Sequence, residues 1–139
     1  MKFRQPASTR PKLRIANLTR DTLLATRADL ADTGVKARTG LLNHSGLAPG
    51  EGLWIAPCEA VHTFGMRFPI DVVFVNRKKR VVKVHPNLVR GRIAFSFRAY
   101  SVLELPAGRL AETGTQCGDQ LAFETLTIEG TCNCASEEC

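Results

Sequence analysis

The residues with the greatest capacity for chemistry lie close together, between Cys58 and Asp71. This short segment carries a thiol, an imidazole at His62, a guanidinium at Arg67 and a carboxylate at its end. Binding and catalytic groups concentrate on loops, because a loop presents side chains without having to fill a core. We therefore take this segment as the candidate functional site.

Nucleophilic catalysis would use Cys58 and His62. Their spacing of four residues aligns them if the segment forms a helical turn, with the imidazole as base toward the thiol. Such a nucleophile requires a lowered thiol pKa. The alternative is a small buried thiol beside a histidine that bonds to the backbone, and we favour it, because cysteine is among the most buried residue types. The catalytic candidates are Cys58, His62 and Asp71.

A ligand pocket is another interpretation of the same loop. We expect its lining to comprise His62, Thr63, Met66, Arg67 and Asp71. Arg67 would orient an anionic or carbonyl group, Asp71 would hold Arg67 or His62, and His62 would exchange a proton near neutral pH. A salt bridge between Arg67 and Asp71 is also expected, because an unpaired carboxylate beside a buried strand is costly.

No metal and no cofactor are predicted. Zinc would need three or four ligands, for which Cys58 and His62 would have to be joined by His85 or Asp71. None of these pairs has the close spacing of a C-x-x-C or H-x-x-x-H motif.

The elements that must position this loop are mostly strands. β-Branched runs over 70–75 and 81–84 predict a hairpin with an exposed basic tip at 77–80. Apolar patterning predicts further strands over 13–18, 53–56, 101–105 and 121–126. The main helix is expected over 28–42 and a short helical turn over 107–112. The fold class is therefore α+β: a β-rich, barrel-like, mixed or antiparallel sheet with one main helix and a short helical turn.

Charge and length set the domain organisation. The chain has 139 residues, enough for one domain, and a net charge of +6. Six basic residues precede the first acid, Asp21. We predict a basic flexible arm over 1–12, one globular domain over 13–128 and a Cys-containing flexible tail over 129–139. The arm would contact phosphates or an anionic surface, although a solvated leader without a partner is favoured.

Location is predicted from apolar runs and cysteines. The first twelve residues contain no apolar run of the length that a secretory signal needs, and no later run is long enough to span a bilayer. The odd number of cysteines, five, fits a reducing compartment. The expected location is cytoplasmic, with no membrane span.

Aromatic and basic residues alternate near the middle of the chain. Phe95, Phe97 and Tyr100 interleave with Arg92 and Arg98. This pattern is compatible with a nucleic-acid stacking surface, but a half-buried strand shows the same alternation and is favoured.

A series of landmarks spans most of the chain, from Leu13 to Leu126. They are, in order, Gly40-Leu41-Leu42, Gly50-Glu51-Gly52-Leu53-Trp54-Ile55, Pro57-Cys58, Val61-His62-Thr63-Phe64-Gly65-Met66-Arg67-Phe68-Pro69-Ile70-Asp71-Val72-Val73-Phe74, Val102-Leu103-Glu104-Leu105-Pro106-Ala107-Gly108 and Gly118-Asp119. This series resembles the domain of unknown function 192 family. The resemblance implies a compact, β-rich α+β domain, mostly prokaryotic, and it implies no activity. Cys58 and His62 are typical of only some branches, so a reaction common to the family would not depend on them.

The leading functional interpretation is a small-ligand or partner-binding module with a polar site on the 57–71 loop. One alternative is a Cys/His-dependent hydrolase or transferase, so whether the protein is an enzyme stays open. Another is an accessory protein that contacts nucleic acid or an anionic surface through its basic arm.

Overall fold

The computed structural model describes residues 12–31 and 46–126, and their secondary structure is almost entirely strand. This part of the chain contains nine strands: β1 Lys12–Asn17, β2 Thr22–Ala31, β3 Glu51–Ile55, β4 Ala60–His62, β5 Ile70–Val75, β6 Val81–Leu88, β7 Ile93–Phe95, β8 Ser101–Pro106 and β9 Leu121–Leu126. One short helix, α1 Arg109–Thr113, lies between β8 and β9. Except for Lys12, which starts β1, the predicted arm lies outside the described residues, as does the predicted tail over 129–139.

Seven of the strands form one mixed sheet in the order β6-β5-β8-β3-β2-β1-β9. Neighbours are antiparallel except β2 and β3, which are parallel. The two edge strands meet at one end, where Arg80 bridges Gln120 and the Leu121 N–H donates to the Lys79 carbonyl at 2.9 Å. The sheet therefore curls until its edges touch there. The predicted β-rich mixed sheet is confirmed, but the contact at one end does not make a closed barrel.

The predicted hairpin is confirmed as β5 and β6, with Arg77, Lys78 and Arg80 exposed at its tip and Lys79 half-buried. The helix predicted over 28–42 is wrong at its start. Residues 28–31 extend β2 and pair with residues 52–55 of β3, and this parallel pairing takes the backbone groups that a helix would use. The rest of that span, from 32, lies outside the described residues.

The short helical turn is confirmed as α1. Gly114 ends it with a positive φ of 71°, and its N–H donates to the Leu110 carbonyl at 2.9 Å. No helix within the described ranges is long and apolar enough to cross a bilayer.

Two hydrophobic cores lie on opposite faces of β5, whose six residues are all buried. Val73 and Val75 contribute to the inner core inside the curled sheet, whereas Val72 and Phe74 contribute to the outer core. A second, two-stranded sheet of β4 and β7 covers the outer core with Val61 and other residues. The 57–71 loop thus contains β4 of the small sheet and leads from it into β5 of the main sheet.

Candidate functional site

Cys58 lies two residues before β4 and His62 is the last residue of that strand, so the chain between them is a bend followed by strand rather than a helical turn. The Cys58 thiol donates to the Ala60 carbonyl, with 3.1 Å between Sγ and O. His62 Nδ1 accepts the Phe64 N–H at 3.3 Å, and the two rings pack with their centroids 5.4 Å apart. These contacts fix both side chains to the backbone or rings of their own loop.

Thr63 and Met66 are fully buried. Thr63 Oγ1 donates to the Val89 carbonyl at 2.6 Å and accepts the Arg92 N–H at 2.9 Å. Met66 lies in the outer core. Thr63 therefore holds the loop against the turn between β6 and β7, and Met66 holds it against the outer core.

Asp71 is fully buried at the start of β5, and Arg67 is exposed. Oδ1 of Asp71 accepts the Asn87 N–H at 2.8 Å, and Oδ2 accepts the N–H groups of Gly108 at 3.1 Å and Leu110 at 2.8 Å. Within residues 46–126 no ion pair joins Arg67 to Asp71. The carboxylate is compensated by backbone N–H groups instead.

An open cleft of about 790 Å³ lies at the beginning of the loop. Its volume is that of a typical small-ligand site. Its three walls are residues 57–59, residues 76–78 of the β5–β6 hairpin, and residues 97–100 before β8. Cys58 lines this cleft, whereas His62, Thr63, Met66, Arg67 and Asp71 do not.

Tyr100 joins the three walls through its backbone. Its N–H donates to the Val75 carbonyl, and its carbonyl accepts the Cys58 N–H, each at 2.8 Å. Asn76 Oδ1 accepts the N–H groups of Lys78 at 2.9 Å and Arg80 at 3.0 Å, which fixes the hairpin tip. The walls are therefore held in place by hydrogen bonds that do not use the cleft's charged side chains.

The cleft carries three cationic side chains and one carboxylate. Arg77, Lys78 and Arg98 supply the positive charges and Glu59 the negative one. The Arg77 guanidinium lies over the Tyr100 ring, 4.2 Å from its centroid. This excess of positive charge favours the binding of an anion. Sequence reasoning identified the basic tip as exposed but not as a cleft wall, because its partners are distant in sequence.

Asp119 is a buried carboxylate away from the loop. Its Oδ2 accepts hydrogen bonds from Asn17 Nδ2, Arg20 Nε and the Gln116 N–H, each at 3.0 Å. Burial raises the pKa of Asp119, but these hydrogen bonds and the Arg20 charge outweigh it and hold the pKa below its ordinary value. The Gly118-Asp119 turn thus ties the β1–β2 turn to the start of β9. In the described ranges no group of three or more His, Cys, Asp or Glu residues is arranged to hold a metal ion.

The sequence over residues 15–123 matches the model of the DUF192 family, described as "Uncharacterized ACR", which confirms the resemblance drawn from the landmarks. A solved structure of a "putative transcription regulator" from Sinorhizobium meliloti 1021 is similar, with a TM-score of 0.70, 24% identity, and coverage of 81% of this chain and 92% of that one. A protein of unknown function from Novosphingobium aromaticivorans DSM 12444 gives a TM-score of 0.69 at 23% identity, covering 85% and 89%. At these identities the likeness shows the fold alone. No curated protein matches the chain.

Proposed function

We propose that this chain, which belongs to the uncharacterised DUF192 family, binds a small anionic ligand with a carboxylate or phosphate group. One observation carries the proposal: a cleft of ligand size in which Arg77, Lys78 and Arg98 face a single carboxylate, Glu59. A desolvated anion would gain charge-assisted hydrogen bonds there.

Arg77 is the expected anchor. A guanidinium stacked on a ring is held in one plane, and its edge can offer two parallel N–H groups to a carboxylate or phosphate. Phe97, which also lines the cleft and is mostly exposed, would cover a flat or apolar part of the ligand. The polar site on the 57–71 loop is then at its beginning, at Cys58 and Glu59.

The other predicted residues have roles in this proposal as well. Thr63, Met66 and Asp71 brace the loop through their buried contacts. His62 and Arg67 would contact a protein partner or a ligand larger than the cleft. A cytoplasmic location is part of the proposal and is supported by Cys117, an exposed free thiol of the kind that a reducing compartment preserves.

A binding assay with defined anions tests the proposal. Inorganic phosphate, pyrophosphate, citrate and AMP would be titrated into the full chain and followed by thermal shift and calorimetry. We expect at least one to raise the melting temperature of the wild type and to do so much less in Arg77→Ala. Arg27→Ala is the matched control, because Arg27 is an exposed residue of β2 that does not line the cleft. No stabilisation by any of the four anions, or equal stabilisation in Arg77→Ala, would refute the proposal.

A further inference from the structure

The outer face of the two-stranded sheet is apolar and open to solvent. Val61 of β4 pairs with Ala94 of β7, and both are buried toward the outer core. The alternate side chains point outward: Ile93 is 63% exposed and Phe95 48%, and Phe97 just beyond the strand is 83% exposed. The predicted strand alternation is thus present, but the small residue faces the core and the large ones face water. Exposed apolar clusters of this kind mark interaction surfaces.

The same part of the chain is strongly basic. Residues 60–100 contain nine Lys and Arg but only one acid, Asp71, which is buried. None of the nine forms an ion pair with a carboxylate in the part of the chain that the structure describes. Basic and acidic residues are equal in number over residues 21–139, but they are unevenly distributed. Residues 60–100 are therefore a second basic part of the chain, in addition to the basic N-terminal arm.

Cations lie beside the exposed rings. Lys83 Nζ lies 5.6 Å from the Phe95 ring centroid and donates to the Phe95 carbonyl at 2.8 Å. Arg92 directly precedes Ile93, Arg98 directly follows Phe97, and both arginines are exposed. Phe95 and Phe97 meet edge to face, with centroids 5.1 Å apart. Exposed rings and positively charged residues are therefore neighbours along this part of the chain, and Lys83 lies directly beside the Phe95 ring.

We infer that this β4–β7 face, formed by Ile93, Phe95 and Phe97 with Lys83, Arg92 and Arg98, binds single-stranded nucleic acid. Unpaired bases stack on exposed aromatic rings irrespective of sequence, and their phosphates are neutralised by flanking Lys and Arg. The charge complementarity selects a polyanion, and the rings select one with exposed flat groups. A duplex keeps its bases paired and stacked on one another, so the rings would find no free base face to stack on.

An anionic membrane would also attract a basic and aromatic surface, but the arrangement fits it less well. A membrane-bound face sinks its rings below the headgroups and keeps its cations above them. Here Lys83 is held at the level of the Phe95 ring by a hydrogen bond to the backbone of the same residue. Sinking the ring would draw that ammonium into the acyl region.

Fluorescence anisotropy tests the inference by titrating the full chain into labelled oligonucleotides: single-stranded dT12, single-stranded U12, and the same dT12 paired as a duplex. Binding to vesicles of phosphatidylglycerol with phosphatidylcholine is measured in parallel. We expect the single strands to bind more tightly than the duplex. Phe95→Leu, which keeps an apolar side chain but loses the ring, should weaken single-strand binding about tenfold, in keeping with the loss of one stacked base. Arg92→Ala should flatten the slope of log K against log salt by about 0.7, the value for one phosphate contact on a single strand.

Two controls separate this face from the rest of the chain. Leu18→Ala removes an exposed apolar side chain elsewhere, and Arg27→Ala removes an exposed charge of β2; neither should change single-strand affinity. Melting curves of every variant establish that it is folded. Equal affinity for duplex and single strand, unchanged binding in folded Phe95→Leu, or binding to vesicles without binding to oligonucleotides would each overturn the inference. Phe97 and Arg98 line the cleft as well as this face, but none of these variants alters a residue that lines the cleft. Anion binding that persists in Phe95→Leu and Arg92→Ala while single-strand binding weakens would separate the two sites.

Discussion

The carboxylate of Asp71 lies 2.8 Å from the backbone nitrogen of Leu110, so a side chain at the start of β5 caps the first turn of α1. The same carboxylate accepts the N–H of Gly108 and, from β6, that of Asn87, whose φ of 52° is left-handed. One buried charge therefore ties three separate segments together. This arrangement explains how Asp71 can be buried although no arginine of the described residues pairs with it.

Asp71→Ala should lower the free energy of unfolding by about 3 to 5 kcal/mol, because it leaves buried backbone donors without an acceptor. Urea unfolding at neutral pH measures the change. Asp29→Ala is the control, since its ion pair with Lys12 is partly exposed and should contribute about 1 kcal/mol or less. A loss at Asp71 no larger than the loss at Asp29 would show that the three N–H groups find other acceptors.

Asp119 should make stability depend on pH in the acid range. Its folded-state pKa is held below the ordinary value of 3.8 by hydrogen bonds from Asn17, Arg20 and Gln116, which outweigh the effect of burial. A depressed pKa contributes stability that is present above the unfolded-state pKa and is lost as the pH falls through the folded-state pKa. Asp119→Asn should therefore be less stable than the wild type at pH 7, with the difference shrinking below about pH 4. Urea unfolding at constant ionic strength measures the free energy of unfolding of the wild type and of Asp119→Asn. A difference between the two that stays constant down to pH 2 would contradict the assignment.

The β5–β6 hairpin could be predicted from sequence because its signal is local. A β-branched run, a basic tip and a second run all lie within residues 70–88. The β2 extension over 28–31 could not be predicted from sequence, because only its parallel pairing with β3 overrides the helical pattern. The paired residues of β3 lie 24 positions further along the chain. β4 is a strand of only three residues and is too short to show a period, whereas the alternation around Phe95 favours the strand that is present as β7.

The same physical reason limits what the sequence can predict about the candidate site. The spacing of Arg67 and Asp71 suggested a local ion pair, whereas the actual partners of Asp71 are backbone groups up to 39 residues distant. Cys58 was identified as part of a site, but the cations of its cleft come from the hairpin tip and from residue 98. No local sequence pattern indicates which loops, distant in sequence, come into contact in the fold.

Arg77 and Glu59 should affect anion binding with opposite signs. Arg77→Ala should weaken it about tenfold or more, as for the loss of a charge-assisted hydrogen bond, and Arg77→Lys should recover only part of the loss because an ammonium cannot bind in a bidentate manner. Glu59→Gln should strengthen binding about two- to fivefold, since it removes the one negative charge of the cleft at an exposed position. Calorimetry with the anion that stabilises the wild type measures all three. Weaker binding in Glu59→Gln would mean that the carboxylate contacts the ligand directly.

Cys58→Ala should leave the affinity for that anion within about threefold, because a thiol contributes at most a weak hydrogen bond. Its contacts support this expectation: Cys58 Sγ donates to the Ala60 carbonyl of the same loop, while the charged groups of the cleft come from other residues. A Cys/His-dependent hydrolase makes the contrary prediction, since replacing its nucleophile abolishes turnover even where binding persists. Calorimetry on Cys58→Ala, paired with a screen of the wild type and the variant against ester and thioester substrates, separates the two. Turnover in the wild type that disappears in Cys58→Ala would establish the enzyme and displace the binding module as the primary function.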